Sequence, residues 1–373
     1  MGSPISTISH QKNERRSQKL NLVKTVGAIG GYLQGGGHGP ASHEFGLGAD
    51  QVLEYQIVLA LGEHVTANAC QHKDLFIALR GGGGGTYGIV TSATVKAFPE
   101  RPALGHVLDI DALNARGTAQ LLNATANVMA SVPALVDEGF SGTAVLLKKE
   151  WENAVNKAKD TMNHHVVNDL IRYNGSSLFI ISKFQVWDSF FAWSMMTSWF
   201  IDKHSPVSKK DKLPNLLKNI TLDHDTHGEQ IVSQYALLLN LVARGKVLEP
   251  QPMTAVNPSW RKTYLVAQQT DMWPDNAGYE EIHRFQNEVM AKKLKALKEF
   301  APDMGTYGNE ADPYDPDWKE DWWGDKYHYL QSVKKKYDPE DVFWCWRCVG
   351  NDAWAEITGG AVYGRLCQTK LSD

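Results

Sequence analysis

The amino-acid sequence predicts an α+β fold, because helix-like and strand-like runs share the same regions of the chain. Between Val26 and Pro99, apolar runs of strand length alternate with glycine-rich text. Residues 101–300 contain both amphipathic helical patterns and β-branched runs. With 373 residues, of which 43% are hydrophobic and 21% charged, the chain can form two domains and a large core.

The elements of the first region follow from local patterns. Val52–Ala60 is typical of a strand, and a hairpin-like return is predicted at 64–68 after a glycine turn. Lys73–Arg80 has the apolar spacing of a helix. Gly88–Phe98 is rich in β-branched residues, which predicts a strand that ends at Pro99.

A run of five glycines lies between that helix and that strand. Gly83, Gly85 and Gly88 satisfy the G-x-G-x-x-G spacing of a dinucleotide fingerprint. In a Rossmann fold a strand enters the glycines and a helix leaves them, so that the helix N-terminus meets the pyrophosphate. Here the order is reversed, which argues against a nicotinamide site. The glycines then provide close backbone approach or positive-φ turns.

The rest of the chain mixes helical and strand-like patterns. Tyr279–Pro302 is a long amphipathic pattern with charges of both signs, which predicts a helix with a solvated face. Asp202–Pro214 is basic and contains prolines, which predicts an exposed loop. Further helices are predicted at 115–132, 151–166 and Tyr327–Tyr337, and further strands at 176–184 and 262–270.

Composition excludes several classes of function. A formal net charge of −4 gives no support to a nucleic-acid partner, and no apolar stretch is long enough to span a membrane. The four cysteines are too few and scattered for a disulfide framework. Cys345 and Cys348 have C-x-x-C spacing, but no second pair completes a zinc site, so we expect a structural or incidental pair and no metal.

A second glycine cluster, Gly30–Pro40, precedes the run of five by about fifty residues. Glycine allows close backbone approach and leaves amide donors unblocked, which suits the edge and phosphate arm of a nucleotide. Either cluster alone is consistent with a tight turn. Together they favour two backbone segments that close on one ligand.

Tyr307 and Asn309 form the third candidate feature. On a strand-like segment these alternate residues point to one face, where a phenol and an amide can bond a heterocycle. The alternative is a surface turn whose carboxylates, at Asp315 and Asp317, cap a helix. The aromatic load of 12 Trp and 13 Tyr has two similar interpretations, core packing or a ring-lined pocket.

These three stretches together resemble the FAD-linked oxidases of the vanillyl-alcohol-oxidase superfamily, specifically the fungal berberine-bridge-enzyme-like proteins. The matching text is "TVGAIGGYLQGGGHGPASHEFGLGADQVLE", "DLFIALRGGGGGTYGIVTSATVKAFP" and "YGNEADPYDPDW" with the segment that follows it. The similarity runs from about Thr25 to about Trp354, with the middle third alike only in general character.

The resemblance implies a partial PCMH-type FAD-binding domain with an inserted substrate domain of antiparallel sheet and helices. Its second FAD subdomain would cover 25–100, the substrate domain 101–305, and a C-terminal return to the FAD domain 306–360. Residues 1–24 have no family match and are expected to be disordered, and 361–373 would be a tail.

The resemblance also implies site residues. Tyr307 is the candidate catalytic residue, as a base that takes a hydroxyl proton, and Asn309 would contact the pyrimidine edge of FAD. The backbone contacts to FAD would come from Gly35, Gly36, Gly37, Gly39, Gly85, Thr86, Gly88, Ile89 and Val90. The expected reaction is hydride transfer from a small organic substrate, a secondary metabolite or an alcohol, with O2 as acceptor. A monomer is expected, and no compartment is indicated.

Departures from the family pattern leave a second hypothesis open. The family's upstream subdomain supplies the main pyrophosphate loop and a histidine that often bonds the flavin, and nothing before Thr25 resembles either. Val23 stands where some members carry a flavin-linking cysteine. We therefore expect a member without the first part of its FAD domain. The alternative to an enzyme is a truncated, non-catalytic remnant or scaffold that no longer holds FAD.

Overall fold

A computed structural model of the protein describes residues 26–99, 115–147, 194–221, 234–242, 245–272, 278–357 and 365–369. The helix predicted at 151–166, the strand predicted at 176–184, the expected disorder of 1–24 and most of the tail 361–373 lie outside these residues. The described part confirms the predicted α+β fold, since it contains antiparallel sheets packed against helices. The predicted domain boundaries remain predictions.

The glycine-rich region forms a three-stranded antiparallel sheet in the order β2-β1-β3. Strand β1 is Val52–Val58, β2 is His64–Asn68 and β3 is Ile89–Val95. The helix Lys73–Leu79 covers one face of this sheet. All four elements were predicted from local pattern, and their ends lie within two residues of the predicted ones, with one exception. Strand β3 ends at Val95, three residues before the predicted end at Phe98.

The second sheet has four antiparallel strands in the order β4-β6-β7-β5. These are β4 (Gly142–Leu147), β5 (Ser194–Asp202), β6 (Gln234–Leu241) and β7 (Thr263–Met272). Their apolar side chains share one core with three helices, Ala115–Asp137, Leu213–Ile220 and Ala291–Phe300.

The segment Asp202–Pro214 is mostly exposed, as its composition predicts, but it is helical and not a loop. It contains the helical turn Ser205–Ser208 and the 3-10 turn Lys210–Lys212, and the helix Leu213–Ile220 begins at its end. Proline stands in the first turn of two of these helices, where its missing N–H removes no hydrogen bond. The prolines therefore begin helices here instead of breaking them.

The long helix predicted over Tyr279–Pro302 is interrupted. The helix Tyr279–Arg284 passes through a π-helical stretch, Phe285–Met290, into Ala291–Phe300. One of its lysines does not reach solvent: Lys293 is fully buried, with its Nζ 2.7 Å from Oδ1 of the equally buried Asp271 on β7. The predicted solvated face does not include this residue, because a buried partner compensates its charge.

The C-terminal segment returns to the first sheet. The helices Trp318–Trp323 and Tyr327–Tyr337 follow a short 3-10 turn at Gly308–Glu310. Trp318, Trp323 and Leu330 share a core with the helix Lys73–Leu79 and strand β1. The last described elements, Trp354–Ile357 (β8) and Arg365–Gln368 (β9), pair with each other in a two-stranded sheet.

The remaining elements are short helical turns. They are the π-helical turn Ala28–Tyr32, the helical turns Leu33–Gly35 and Ser42–Phe45, and the 3-10 turns Gly48–Gln51, Gly245–Leu248, Pro258–Lys262, Gly324–Lys326 and Asn351–Ala353. The first glycine cluster itself thus forms helical turns, Ala28–Tyr32 and Leu33–Gly35, in the part of the chain that the structure describes.

Candidate active site

The two glycine clusters meet through their backbones. The carbonyl oxygen of Gln34, in the first cluster, accepts hydrogen bonds from the N–H groups of Gly81 and Gly83, both at 3.0 Å. A Cβ atom on Gly84 would lie 2.4 Å from the carbonyl oxygen of Gly30. Side chains at this contact would force the segments apart, so the glycines permit the approach.

Asn309 joins the C-terminal segment to the first cluster. Its Nδ2 donates to the carbonyl oxygen of Gly31 at 2.9 Å and to the hydroxyl oxygen of Tyr307 at 2.6 Å. A Cβ atom on Gly35 would lie 2.4 Å from that Nδ2. The sequence predicted a strand-like segment here, but Gly308–Glu310 is a 3-10 turn. The two side chains still meet, because the turn folds Asn309 back onto Tyr307.

Tyr307 is 5% exposed and is held from several sides. Its ring contacts the rings of Trp260 and His38, with centroids 5.8 and 5.2 Å away. The N–H of Gly37 donates to its hydroxyl oxygen, as does Asn309. Burial, reinforced by the negative charge of Glu310, raises the pKa of Tyr307 well above its ordinary value. The phenol therefore keeps its proton at neutral pH.

A pocket of about 220 Å³ lies where these segments converge. The run Gly81–Gly84 forms one wall, Tyr307 and Asn309 form a second, and aromatic side chains form a third. The lining residues are Gly35, Gly81, Gly82, Gly83, Gly84, Thr86, Asn257, Trp260, Thr306, Tyr307, Gly308, Asn309, Trp322, Trp323, Trp346, Arg347 and Cys348.

Two polar groups of the pocket lack an internal partner. Within the described ranges, the hydroxyl of Thr86 and the indole N–H of Trp322 are buried without a hydrogen-bond partner. Thr86 is fully buried. Because a buried polar group without a partner is unfavourable, both are suited to bond a ligand that enters the pocket.

Four of the eleven residues named from the sequence line this pocket: Gly35, Thr86, Tyr307 and Asn309. The other seven lie around it. Gly36 and Gly37 accept backbone hydrogen bonds from Ala49 and Gly48, and the N–H of Gly39 donates to the Ser42 hydroxyl.

The segment after the five glycines lies farther from the pocket. Gly85 has open space around it, and a Cβ atom on Gly88 would lie 2.5 Å from the carbonyl oxygen of Val58. Ile89 and Val90 begin β3, opposite Val58 and Ile57, and Ile89 is 60% exposed. Their backbone groups pair with β1, so the proposed cofactor contacts of this segment stay predictions.

The sequence analysis considered a ring-lined pocket but did not identify which aromatic residues line it. Trp322 and Trp323 come from the helix Trp318–Trp323, and Trp346 and Arg347 come from the loop closed by the Cys345–Cys348 disulfide. The indole of Trp323 donates to the carbonyl oxygen of Gly81 at 3.0 Å, which fixes the helix to the glycine run. The adjacent tryptophans beside an acidic loop could have suggested a ring-lined site. The local sequence does not show, however, that Trp323 bonds a residue 242 positions earlier in the chain.

The sequence analysis also did not identify the pair formed by His38 and Glu310. The Nε2 of His38 lies 3.0 Å from Oε1 of Glu310, behind the ring of Tyr307. Nδ1 of His38 and Oε2 of Glu310 are buried and have no partner among the described residues. The pair connects the first glycine cluster to the 3-10 turn and positions Tyr307.

An acidic group lies beneath the site but does not face the pocket. Asp315, Asp317 and Asp321 place one carboxylate oxygen each within 4.8 Å of one another. Lys298 already bonds this group, with its Nζ 3.0 Å from Asp315 and 3.2 Å from Asp317 and paired with Asp321 as well. The lysine ammonium thus occupies the position in which a metal ion would neutralise the carboxylates.

Two carboxyls in this region have raised pKa values. Burial, together with the neighbouring Asp315, raises the pKa of Asp321 to about 7. Burial raises the pKa of Asp312 to about 6. Both groups are therefore easier to protonate in the folded protein than in the unfolded chain.

Comparison with known proteins agrees with this architecture. Residues 306–347 match the family described as "Berberine and berberine like". The FAD-linked oxidoreductase apf9 of Gibberella fujikuroi is 30% identical over an alignment of 387 positions, gaps included, that covers 93% of this chain and 65% of that protein. The FAD-linked oxidoreductase patO of Aspergillus clavatus is 31% identical over 365 residues, which cover 93% of this chain and 61% of that protein.

A solved structure shows the same fold. The VAO-type flavoprotein MtVAO713 from Myceliophthora thermophila C1 superposes with a TM-score of 0.69 at 29% identity, over 92% of this chain and 64% of that protein. The chain thus spans less than two thirds of the length of these three relatives. In the described part of the chain, no helix has the length and apolar character needed to cross a bilayer.

The segment that carries Tyr307 and Asn309 is the one that the berberine family matches, and the relatives and the solved structure extend the similarity to more than nine tenths of the chain. Over most of its length, the chain is therefore similar in sequence and fold to FAD-linked oxidoreductases and to a VAO-type flavoprotein, with a berberine-like C-terminal segment.

Proposed function

We propose that the protein is an FAD-dependent oxidoreductase that acts on a small organic substrate. The observation that carries this proposal is the convergence of both glycine clusters with Tyr307 and Asn309 around one pocket. Relatives named FAD-linked oxidoreductases support it.

The residues of the pocket fit part of a flavin. No side chain separates the backbone of Gly83 from the pocket, and a Cβ atom there would meet no atom closer than 3.5 Å. Thr86 and Trp322 offer buried polar groups that have no hydrogen-bond partner among the described residues. A volume of about 220 Å³ is smaller than the roughly 300–1,000 Å³ of sites for drug-sized ligands. The described residues would therefore enclose one part of FAD and leave the rest to other groups.

Bound FAD would supply the redox chemistry by accepting a hydride, while the protein orients the reactants and sets the electrostatics. We propose a secondary metabolite or an alcohol as hydride donor and O2 as the final acceptor. The aromatic wall of Trp322 and Trp346 favours a substrate with an apolar or aromatic body.

Tyr307 would act in its neutral form. Its oxygen already accepts hydrogen bonds from Asn309 and Gly37, and its raised pKa opposes ionisation. A phenol in this state holds its proton and donates it in a hydrogen bond, so we propose that Tyr307 orients a substrate or cofactor oxygen. This differs from the proton-accepting role that the family resemblance suggested, because a base near neutral pH needs a lower pKa.

A second candidate is a protein that keeps the fold without the cofactor. Two observations favour it: the small volume of the pocket, and the exposure of Ile89 and Leu53, at 60% and 48%, on the first sheet. Such apolar side chains can mark a surface that another protein segment covers.

Cofactor binding separates the two candidates. The purified chain would be incubated with FAD, passed through a desalting column and scanned over the visible flavin bands, with NADH as a parallel ligand. Retention of FAD by the chain would support the oxidoreductase, provided that Asn309→Ala retains less FAD and Asn127→Ala retains as much as the wild type. A folded chain that quenches no flavin fluorescence at any accessible FAD concentration would overturn it and leave the second candidate. Oxygen consumption over a panel of alcohols then tests substrate and acceptor.

A further inference from the structure

The Cys345–Cys348 disulfide closes a four-residue loop at the edge of the pocket. Three residues of this loop, Trp346, Arg347 and Cys348, belong to the pocket lining. The opposite wall is the glycine run Gly81–Gly84. Any change in the loop therefore changes the shape of the pocket, and this holds whatever ligand the pocket takes.

The disulfide lies in a partly exposed loop. Cys345 and Cys348 are both half-buried, and Trp346 between them is 48% exposed. Structural disulfides that resist reduction tend to be buried or to close long loops, since a long loop removes more entropy from the unfolded chain. A loop of four residues gains little from this effect, so reduction costs the fold little.

The loop is held in a conformation that depends on its closure. Arg347 has a φ of 60°, in the left-handed region that a side chain with a Cβ disfavours. Its Nε donates to the carbonyl oxygen of Pro313 at 2.7 Å, and its guanidinium lies 5.3 Å from the ring of Trp318. These contacts and the S–S bond both restrain the left-handed turn, so we expect the backbone to relax when the bond opens.

We propose that Cys345–Cys348 is a site of reversible thiol–disulfide exchange that reshapes the pocket wall. A dithiol, small or on a protein, attacks one sulfur as a thiolate and breaks the Cys345–Cys348 bond through a mixed disulfide. Its second thiolate then displaces the remaining cysteine. The dithiol is oxidised to its own disulfide, and the protein gains two thiols, whose protons come from the two thiols of the reductant.

The first experiment uses the Cys70→Ser/Cys367→Ser chain, which removes the two exposed free cysteines and leaves the pair alone. The folded protein is equilibrated in dithiothreitol redox buffers and quenched with a maleimide, and its mass and circular dichroism are recorded. We expect two adducts per chain while the fold is intact, and none after oxidised glutathione is returned. Adducts that appear only at urea concentrations that unfold the protein would overturn the proposal.

The second experiment tests the effect on the pocket without any ligand. Hydrogen–deuterium exchange is compared between the oxidised chain, the reduced chain and Cys345→Ser/Cys348→Ser. We expect faster exchange in residues 343–350 and 81–86 on reduction, with strands β6 and β7 unchanged as internal reference. Exchange in 81–86 that is the same in all three samples would refute the link between the disulfide and the pocket. Because no flavin is used, this outcome is independent of the proposed oxidoreductase function.

Discussion

The side-chain amide of Asn309 donates a 2.9 Å hydrogen bond to the carbonyl oxygen of Gly31, 278 residues earlier in the chain. The same nitrogen contacts the hydroxyl of Tyr307 at 2.6 Å. One side chain thus joins the C-terminal segment to the first glycine cluster and positions the phenol. Asn309 is exposed on its outer side and lines the pocket on its inner side.

Replacing Asn309 by alanine should loosen this junction. We expect Asn309→Ala to lower the free energy of unfolding by about 0.5–1.5 kcal/mol, because Gly31 and Tyr307 lose a shared donor. Urea denaturation measures this change. Asn127→Ala is the matched control: its Nδ2 also bonds a backbone carbonyl, that of Asn123 at 3.0 Å, but on an exposed helix face away from the site. Equal losses in both variants would contradict a special role for Asn309.

Gly81 should not tolerate a side chain. It has a φ of +128°, and a Cβ atom would lie 2.3 Å from the backbone nitrogen of Val256. Gly62, with a φ of +84° and open space around it, controls for the backbone strain alone. We expect Gly62→Ala to cost about 1–2 kcal/mol and Gly81→Ala to cost at least about 3 kcal/mol more. Thermal and urea unfolding of both variants check this, and similar costs would show that Val256 can move aside.

Lys334 should be essential for the position of the segment that follows the five glycines. Its buried ammonium donates to the carbonyl oxygens of Thr86 and Phe343, at 2.8 and 2.6 Å, and pairs with the buried Asp338. Lys334→Met leaves that carboxylate without its cation, at a cost of about 3–5 kcal/mol in unfolding free energy. The exposed neighbour Lys335→Met should change stability by less than about 0.5 kcal/mol. A small effect at Lys334 would mean that water replaces the ammonium.

Because its pKa is raised, Asp321 should contribute a term to the free energy of unfolding that increases as pH falls. The folded protein holds this proton with a pKa of about 7, against an ordinary value of 3.8, so it binds more protons than the unfolded chain between these values. Its contribution to stability therefore grows as pH falls from about 8 to 4. Asp321→Asn should remove this contribution, because the amide does not titrate in this range.

The measurement is the free energy of unfolding of both proteins at several pH values between 8 and 5. As pH falls, the free energy of unfolding of the wild type should increase relative to that of Asp321→Asn. A difference that stays flat would show that Lys298 keeps the Asp321 carboxyl ionised throughout. Using the difference cancels the titration of groups that do not interact with Asp321.

Local pattern was sufficient for the elements near the glycine clusters. Strands β1 and β2 and the helices Lys73–Leu79 and Tyr327–Tyr337 lie close to their predicted ranges. Their apolar periodicity is a property of a few consecutive residues, so it can be read without knowing what packs on them. The same holds for the order of helix, glycines and strand that argued against a nicotinamide site.

Pattern failed where a distant partner decides the outcome. Lys293 belongs to a charged amphipathic pattern, yet it is buried because Asp271 on β7 supplies its counter-charge. The neighbour across the fold, and not the local sequence, determines where this side chain lies.

By itself, then, the sequence determined the local elements, the mixed α and β character and the three segments that belong together. Only the tertiary structure decided that Gln34 accepts from Gly81 and Gly83, and that Trp322 and Arg347 complete the pocket. The physical reason is that hydrogen bonds and ring contacts between remote segments depend on how whole elements pack, and no local periodicity encodes that arrangement.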